Sequence, residues 1–294
     1  MKKHEILDDL NLAYLEEARG KEAQGQEVPA APSEDFKLIG RATPRIDGRL
    51  IVTGKAKFTH DLSFKNMLHA KILRAPFASA EIVSLDLGQA QNLPGIKAVI
   101  KLKEGRIKYE GEPIAAVAAI SEKTAEEALQ LIKVDCKVLP HVVRPEKAME
   151  EGAPQVHDSA NVEKFNEYSR GDVDKGFAEA DTIIERTYKT AVEIHQTAET
   201  HASIAKWDED RLTVWDSTQA VFSVRDGLAR ALGIPASKVR VIKTYMGGGF
   251  GSKLGVNEHT ITAARLAKET GRPVKIVLSR RENSLCVGNR PSTS

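Results

Sequence analysis

A chain of 294 residues, 41% hydrophobic and 29% charged, is long enough for two domains, each with its own core. A formal net charge of +2, with no basic stripe interleaved with aromatics, argues against nucleic acid as a partner. No apolar run approaches the ~20 residues of a membrane span, no apolar core follows Lys2-Lys3 as in a secretory signal, and two cysteines cannot supply the usual four thiolates of an iron–sulfur cluster. A cytoplasmic, reduced setting is therefore expected.

Residues 1–35 hold nine acids and four bases, a net of −5 against +7 for the remainder. Ile6, Leu7, Leu10, Ala13 and Leu15 form a rough helical stripe between Lys3 and Arg19, and a Gly/Gln/Pro/Ala stretch from Gly20 to Ser33 follows. This segment reads as an acidic arm with a tether.

Residues 36–150 mix β and α patterns. Leu68 to Leu73 and Ile114 to Ile120 predict buried strands, and Ser121 with Thr124 and Glu127 predicts the start of a helix running to Ile132. Val134 to Leu139 returns as a strand in which Cys136 alternates with Val134 and Val138, a small core residue on that pattern. Strand, helix and strand in succession imply a compact α/β unit, closed by Pro140 and Pro145. The polar stretch from Glu150 to Arg170 reads as a linker.

A second domain, 165–294, is expected to alternate strands at Thr182 to Thr190, Ala191 to Trp207 and Leu212 to Ser217. A helix from Val221 to Leu232 and a strand from Val239 to Tyr245 come next, then a glycine cluster, a helix from Glu258 to Glu269 and a strand from Val274 to Ser279. The cluster, Met246-Gly247-Gly248-Gly249-Phe250-Gly251-Ser252-Lys253, places four glycines in five positions. Without Cβ atoms such a stretch lets bare N–H groups approach a large polar ligand. The dinucleotide fingerprint fails because Ser252 and Leu254 stand where its third glycine belongs, and the P-loop fails because Ser252-Lys253-Leu254 replaces Gly-Lys-Ser/Thr. A tight strand-to-helix turn without ligand is the plain alternative.

Together with Ser217-Thr218-Gln219 upstream and Gly271-Arg272-Pro273-Val274 downstream, the glycine loop resembles the molybdenum-binding large subunit of the xanthine dehydrogenase/aldehyde oxidase family. Pro44-Arg45-Ile46-Asp47-Gly48, Val52-Thr53-Gly54-Lys55-Ala56, Met67-Leu68-His69-Ala70, Arg74-Ala75-Pro76 and Gly111-Glu112-Pro113-Ile114-Ala115 resemble that family's hammerhead-like domain in the same order. The resemblance runs from about Ile39 to Ser294. It implies an α+β chain: a hammerhead-like α/β domain over 36–150, then the beginning of the first molybdopterin-binding domain.

The resemblance also implies site roles. Gln219 would donate a hydrogen bond to an oxo ligand of the molybdenum without binding the metal. The backbone of Gly248, Gly249, Phe250 and Gly251 would lie against metal and pterin, with Gln219 and Phe250 as the catalytic pair and no metal ligand on this chain. Ser252 stands where many members have glycine, and Leu254 where purine-oxidising members carry glutamate, which points away from purines toward aldehydes, aromatics or other substrates. Lys253 reads as a solvated charge or a neighbour of cofactor anions, and His259 as a surface or helix-packing residue. If His195 to His201 were a strand, His195, Thr197, Glu199 and His201 would share a face, but no fourth ligand is spaced for zinc. No elbow motif supports a serine hydrolase.

The implied reaction is oxidative hydroxylation with water, and the implied cofactor is molybdenum-molybdopterin in its cytosine dinucleotide form. Iron–sulfur clusters and FAD are expected on an iron–sulfur subunit and a flavin subunit. The family's catalytic glutamate lies in a later segment, so this chain is expected to be one piece of a split large subunit, active only with the remaining large-subunit chain. A non-catalytic scaffold or assembly fragment is the alternative.

Overall fold

The computed structural model describes residues 42–158, 160–162 and 168–293. The expected arm helix and tether lie outside them. Backbone contacts divide the chain into Met1–Ala56 and Lys57–Ser294. In the first unit a short helix, Gly48–Val52, follows Arg45, whose guanidinium pairs with Asp47, and Gly54 closes the turn at φ +68°.

The second unit is built on a seven-stranded mixed sheet. Its strands are β1 (Leu68–Arg74), β3 (Ile96–Lys101), β5 (Pro113–Ala119), β7 (Ala202–Asp208), β8 (Arg211–Asp216), β9 (Val239–Ile242) and β10 (Val274–Val277), in the order β3-β5-β1-β10-β7-β8-β9. A separate three-stranded sheet pairs β2 (Ala80–Asp86), at its centre, with β4 (Arg106–Ile107) and β6 (Lys133–Val138). The arrangement is α+β.

Sequence sets these elements locally. Every residue of β5 is buried, and its Pro-Ile-Ala-Ala-Val-Ala-Ala run keeps the strand slim enough to be covered on both faces. Helix α1 (Glu122–Leu131) begins because Ser121 adopts an extended backbone and its Oγ accepts the Thr124 N–H at 3.1 Å. Helix α2 (Val221–Leu232) ends on Gly233 at φ +65°, the left-handed geometry that glycine adopts without strain. Helix α3 (Glu258–Thr270) buries Thr262, Ala263, Leu266 and Ala267.

Two cores result. Leu68, Leu212, Val224, Leu228, Leu266 and Ile276 pack α2 and α3 on the large sheet, while Ile107, Ile114, Val117 and Ala128 join β5 and α1 to the small one. β1 and β10 pair in parallel, Leu68 opposite Val274, so segments 36–150 and 165–294 share one sheet.

Three expectations are corrected. Among the described residues, 182–201 form no ladder, only an isolated bridge between Glu193 and Arg290, and the strand expected from Ala191 to Trp207 is confined to β7. The composition of 182–201 is strand-like, but no described strand pairs with it. β9 stops at Ile242, because the chain turns out of the sheet toward the glycine cluster. In β6 the expected inward alternation holds for Val134 and Cys136, which are half-buried against the small-sheet core, and fails at Val138, which is exposed at the strand end.

Strand direction gathers the loops. β8 and β9 are parallel, β7 is antiparallel to β8, and β10 is antiparallel to β7. The loops that leave β8, β9 and β10 and the loop that enters β7 therefore meet at one sheet edge, the place where open sheets with parallel strands bind ligands.

Candidate cofactor-facing loop cluster

The loop entering β7 holds His195 to His201, and the loop leaving β8 holds Ser217, Thr218 and Gln219. The loop leaving β9 holds the glycine cluster, and β10 leads through Ser279 into α4 (Arg280–Leu285). The Ser279 hydroxyl and the Glu282 carboxylate form a reciprocal capping box that fixes the start of α4.

Gln219 and the glycine loop are interlocked. The Gln219 N–H donates to the Lys253 carbonyl at 2.8 Å, and Gln219 Oε1 accepts the Gly251 N–H at 2.9 Å. The acceptor role identifies this atom as the amide oxygen. That leaves Nε2, which bonds no described residue, as an outward donor. Gly249 leaves the space that the Gln219 side chain occupies, since a Cβ there would stand 2.3 Å from Gln219 Oε1. Gly247 is equally confined, with its would-be Cβ 2.5 Å from the Glu199 Cβ.

Phe250 has a left-handed φ of +52° although it is not glycine, and the residue is 58% exposed, with its ring edge beside Gly248. Such a conformation in a bulky residue is strained by about 1 kcal/mol or more, and it is held by Arg290, whose Nη2 donates to the Phe250 carbonyl at 3.0 Å. Gly248, two residues before it, and Gly251, directly after it, also have positive φ, +95° and +105°. The N–H groups of Gly248, Gly249 and Phe250 donate to no described backbone carbonyl. Successive amides left without a described acceptor are suited to donate to an anionic or oxo group. The five predicted site residues thus sit in one cluster: Gln219, Gly248, Gly249, Phe250 and Gly251.

Beneath the loop lies a polar layer that sequence reading missed. Lys253, expected as a solvated charge, is 1% exposed. Its Nζ donates to the Glu199 carbonyl at 3.0 Å and reaches Glu199 Oε2 at 3.2 Å. Burial pushes the Lys253 pKa down, and the Glu199 carboxylate pulls partly the other way. His259, expected near the surface, is buried in α3 and meets the His201 ring edge-on at 5.7 Å; burial drives its pKa well below the ordinary histidine value. The His201 ring nitrogens face Asn283 Oδ1 at 2.7 Å and the Ser252 carbonyl at 3.1 Å. Asp216 is buried at the end of β8, where Oδ2 accepts from Ser203 at 2.7 Å and from Thr260 at 2.8 Å, and burial raises its pKa to about 6.

His195, Thr197, Glu199 and His201 do not share a strand face, because residues 195–200 are loop. Glu199 and His201 instead turn inward beneath the glycine cluster. Leu254 is exposed at its far end.

Three amides without a described partner, in a loop whose Gly247 and Gly249 leave no room for side chains, suit a bulky anionic cofactor with oxo groups. Comparison with known proteins agrees. The molybdopterin cofactor-binding domain profile matches residues 156–294, and the aldehyde oxidase and xanthine dehydrogenase a/b hammerhead domain profile matches residues 53–106. The chain is 39% identical over 259 residues to a probable xanthine dehydrogenase subunit of Bacillus subtilis (strain 168), covering 81% of this chain and 35% of that protein. It is 34% identical to the nicotinate dehydrogenase large molybdopterin subunit of Eubacterium barkeri, covering 87% of this chain and 65% of that one. Quinoline 2-oxidoreductase from Pseudomonas putida 86 superposes with a TM-score of 0.74 at 29% identity, over 83% of this chain and 35% of the other. The chain therefore spans about a third of the length of two of these relatives and about two thirds of the other.

Proposed function

This chain belongs to the xanthine dehydrogenase/aldehyde oxidase family of molybdopterin-binding large subunits, and we propose that it supplies the Gln219 and Phe250 side of a molybdenum hydroxylase site. The observation that carries the reading is the hydrogen bond from the Gly251 N–H to Gln219 Oε1, which commits the oxygen to the loop and turns the amide NH2 outward as a donor. A molybdopterin bound there supplies the redox centre for a water-dependent oxidative hydroxylation.

The chain's own residues bind and orient. The amides of Gly248, Gly249 and Phe250 offer donors to cofactor oxygens, preorganised by a loop that is already pinned at Gly247, Gly251 and Lys253. Phe250 shields one side of the cradle from water. Leu254 presents an apolar surface where a carboxylate would hold a purine nitrogen, which favours an aldehyde, a non-purine heterocycle or a related substrate.

The remaining walls and the catalytic base are assigned to polypeptide outside these 294 residues, in a split large subunit served by iron–sulfur and flavin subunits. The E. barkeri relative supports a divided arrangement, because it is called a large molybdopterin subunit and is much shorter than the B. subtilis relative, as the covered shares of 65% and 35% require. Residues 181–194 support it as well: they are exposed, rich in β-branched side chains, and display Ile183, Ile184, Tyr188 and Val192 to solvent. The cytosine dinucleotide form of the cofactor and a cytoplasmic location complete the proposal.

The test is co-expression. The isolated chain is expected to retain little molybdenum or pterin, and the chain joined to the rest of a large subunit to retain both. Full occupancy in the isolated chain would overturn the divided site.

A further inference from the structure

Lys253 ties the glycine loop to two other segments at once. Its carbonyl accepts the Gln219 N–H at 2.8 Å and the Thr218 hydroxyl at 2.9 Å, while its ammonium bonds both the backbone and the carboxylate of Glu199. Glu199 in turn grips the glycine loop from the other end. Its Oε2 accepts the Gly247 N–H at 2.8 Å, and its own N–H donates to the Gly247 carbonyl at 3.0 Å. Its Cβ fills the space that a side chain at Gly247 would need.

The stretch of chain around Glu199 is itself anchored. Arg280 donates to the carbonyls of Thr197 and Ala198 at 2.6 and 2.9 Å, and the Thr197 hydroxyl donates to the Glu199 carbonyl at 2.7 Å. No residue of the glycine cluster belongs to either apolar core, and the loop is tied to this anchored neighbour by polar bonds. Glu199 Oε1 is buried without a partner among the described residues, in a side chain only 8% exposed. A buried carboxylate satisfied on one oxygen alone is kept by strong bonds on that oxygen, here an ammonium and an amide.

We propose that the buried Lys253–Glu199 ion pair is the positioning device of the loop cluster: its charge sets the direction of the Gly247 amide at one end and, through the Lys253 backbone, the placement of Gln219 at the other. Neither residue touches the cofactor in this scheme. The sense in which they position a cofactor rests on the molybdopterin reading; the clasp between the loops does not.

Removing one partner leaves the other charge buried and unpaired, whereas removing both charges leaves a neutral pair of similar volume. That asymmetry separates the clasp from ordinary packing. Hydrogen exchange followed by mass spectrometry on the metal-free full chain tests it with Glu199→Gln, Lys253→Met and the double variant. Each single variant is expected to speed exchange of the 247–253 amides about tenfold or more, with β5 and β8 protected as before, and E199Q/K253M is expected to recover most of the lost protection. In the assembled complex, both single variants are expected to alter the Mo(V) electron paramagnetic resonance signal of the reduced enzyme, because the Gln219 amide shifts.

Unchanged loop exchange in both single variants would overturn the clasp. So would a double variant exchanging faster than either single one, or loss of protection spread equally over β5 and β8. An unsubstituted complex without molybdenum would fail the cofactor reading and leave the clasp standing, since exchange is measured on the metal-free chain.

Discussion

A methyl group at position 249 and the amide of Gln219 cannot occupy the same space: the would-be Cβ of Gly249 lies 2.3 Å from Gln219 Oε1. The clash runs along the exposed Gln219 side chain, from Oε1 back to Cγ at 2.7 Å, so the backbone can stay if the whole side chain turns away and gives up its bond to the Gly251 N–H. Gly249→Ala is thus expected to change stability by less than about 1 kcal/mol while reducing turnover of the assembled enzyme by about a hundredfold, the scale of losing one preorganised donor. Gln219→Ala should match it. Thermal unfolding and steady-state kinetics on both variants check this, and wild-type turnover in either would remove the role given to Gln219.

Asp216 makes a second, pH-dependent prediction. Its native pKa of about 6 lies above the unfolded value of 3.8, so the folded state holds the extra proton between them. The stabilisation from that proton is complete below 3.8 and is lost as pH rises through about 6, amounting to about 3 kcal/mol. His201 and His259, with lowered pKa values, act in the opposite sense as pH falls below 6.5. Comparing Tm against pH for the unsubstituted chain and Asp216→Asn isolates the carboxyl: the variant is expected to gain relative stability as pH rises across this window. A difference independent of pH would show that Asp216 titrates normally.

Gly227 in α2 faces Val256 beyond the glycine loop, where a Cβ would meet Val256 Cγ1 at 2.4 Å. Alanine favours helix over glycine by ~1 kcal/mol, but overpacking against a half-buried valine costs about 1–3 kcal/mol. Gly227→Ala is therefore expected to destabilise, and Val256→Ala in the same chain to recover part of the loss. Denaturant unfolding of the two variants reads both signs.

Much of this framework was legible in local pattern. Ser121 announces α1, the helix expected from Val221 to Leu232 is α2, and strands such as β5 and β8 are short runs that tertiary packing has no reason to disturb. Lys253 was illegible because its partner Glu199 lies 54 residues away, and a lysine beside glycines ordinarily reads as solvated. His259 was misplaced because α3 buries a polar face beside β7, where Thr260 and Asp216 share a hydrogen-bond network. Residues 182–190 carried a strand composition whose partner is not among the described residues.

That exposed stretch carries its own prediction. Ile184 and Tyr188 are both largely exposed, so the isolated chain is expected to self-associate through this segment. Ile184→Lys with Tyr188→Lys should reduce light scattering, leave unfolding within about 0.5 kcal/mol, and weaken assembly with the rest of a large subunit. Unchanged scattering would place the sticky surface elsewhere.

The most direct measurement is the structure of the assembled complex loaded with molybdopterin. The Gln219 amide is expected within hydrogen-bonding reach of a metal-bound oxygen, with the Gly249 to Gly251 backbone against the pterin. A molybdenum centre walled off from Gln219 and Phe250 by other residues would contradict the proposed site.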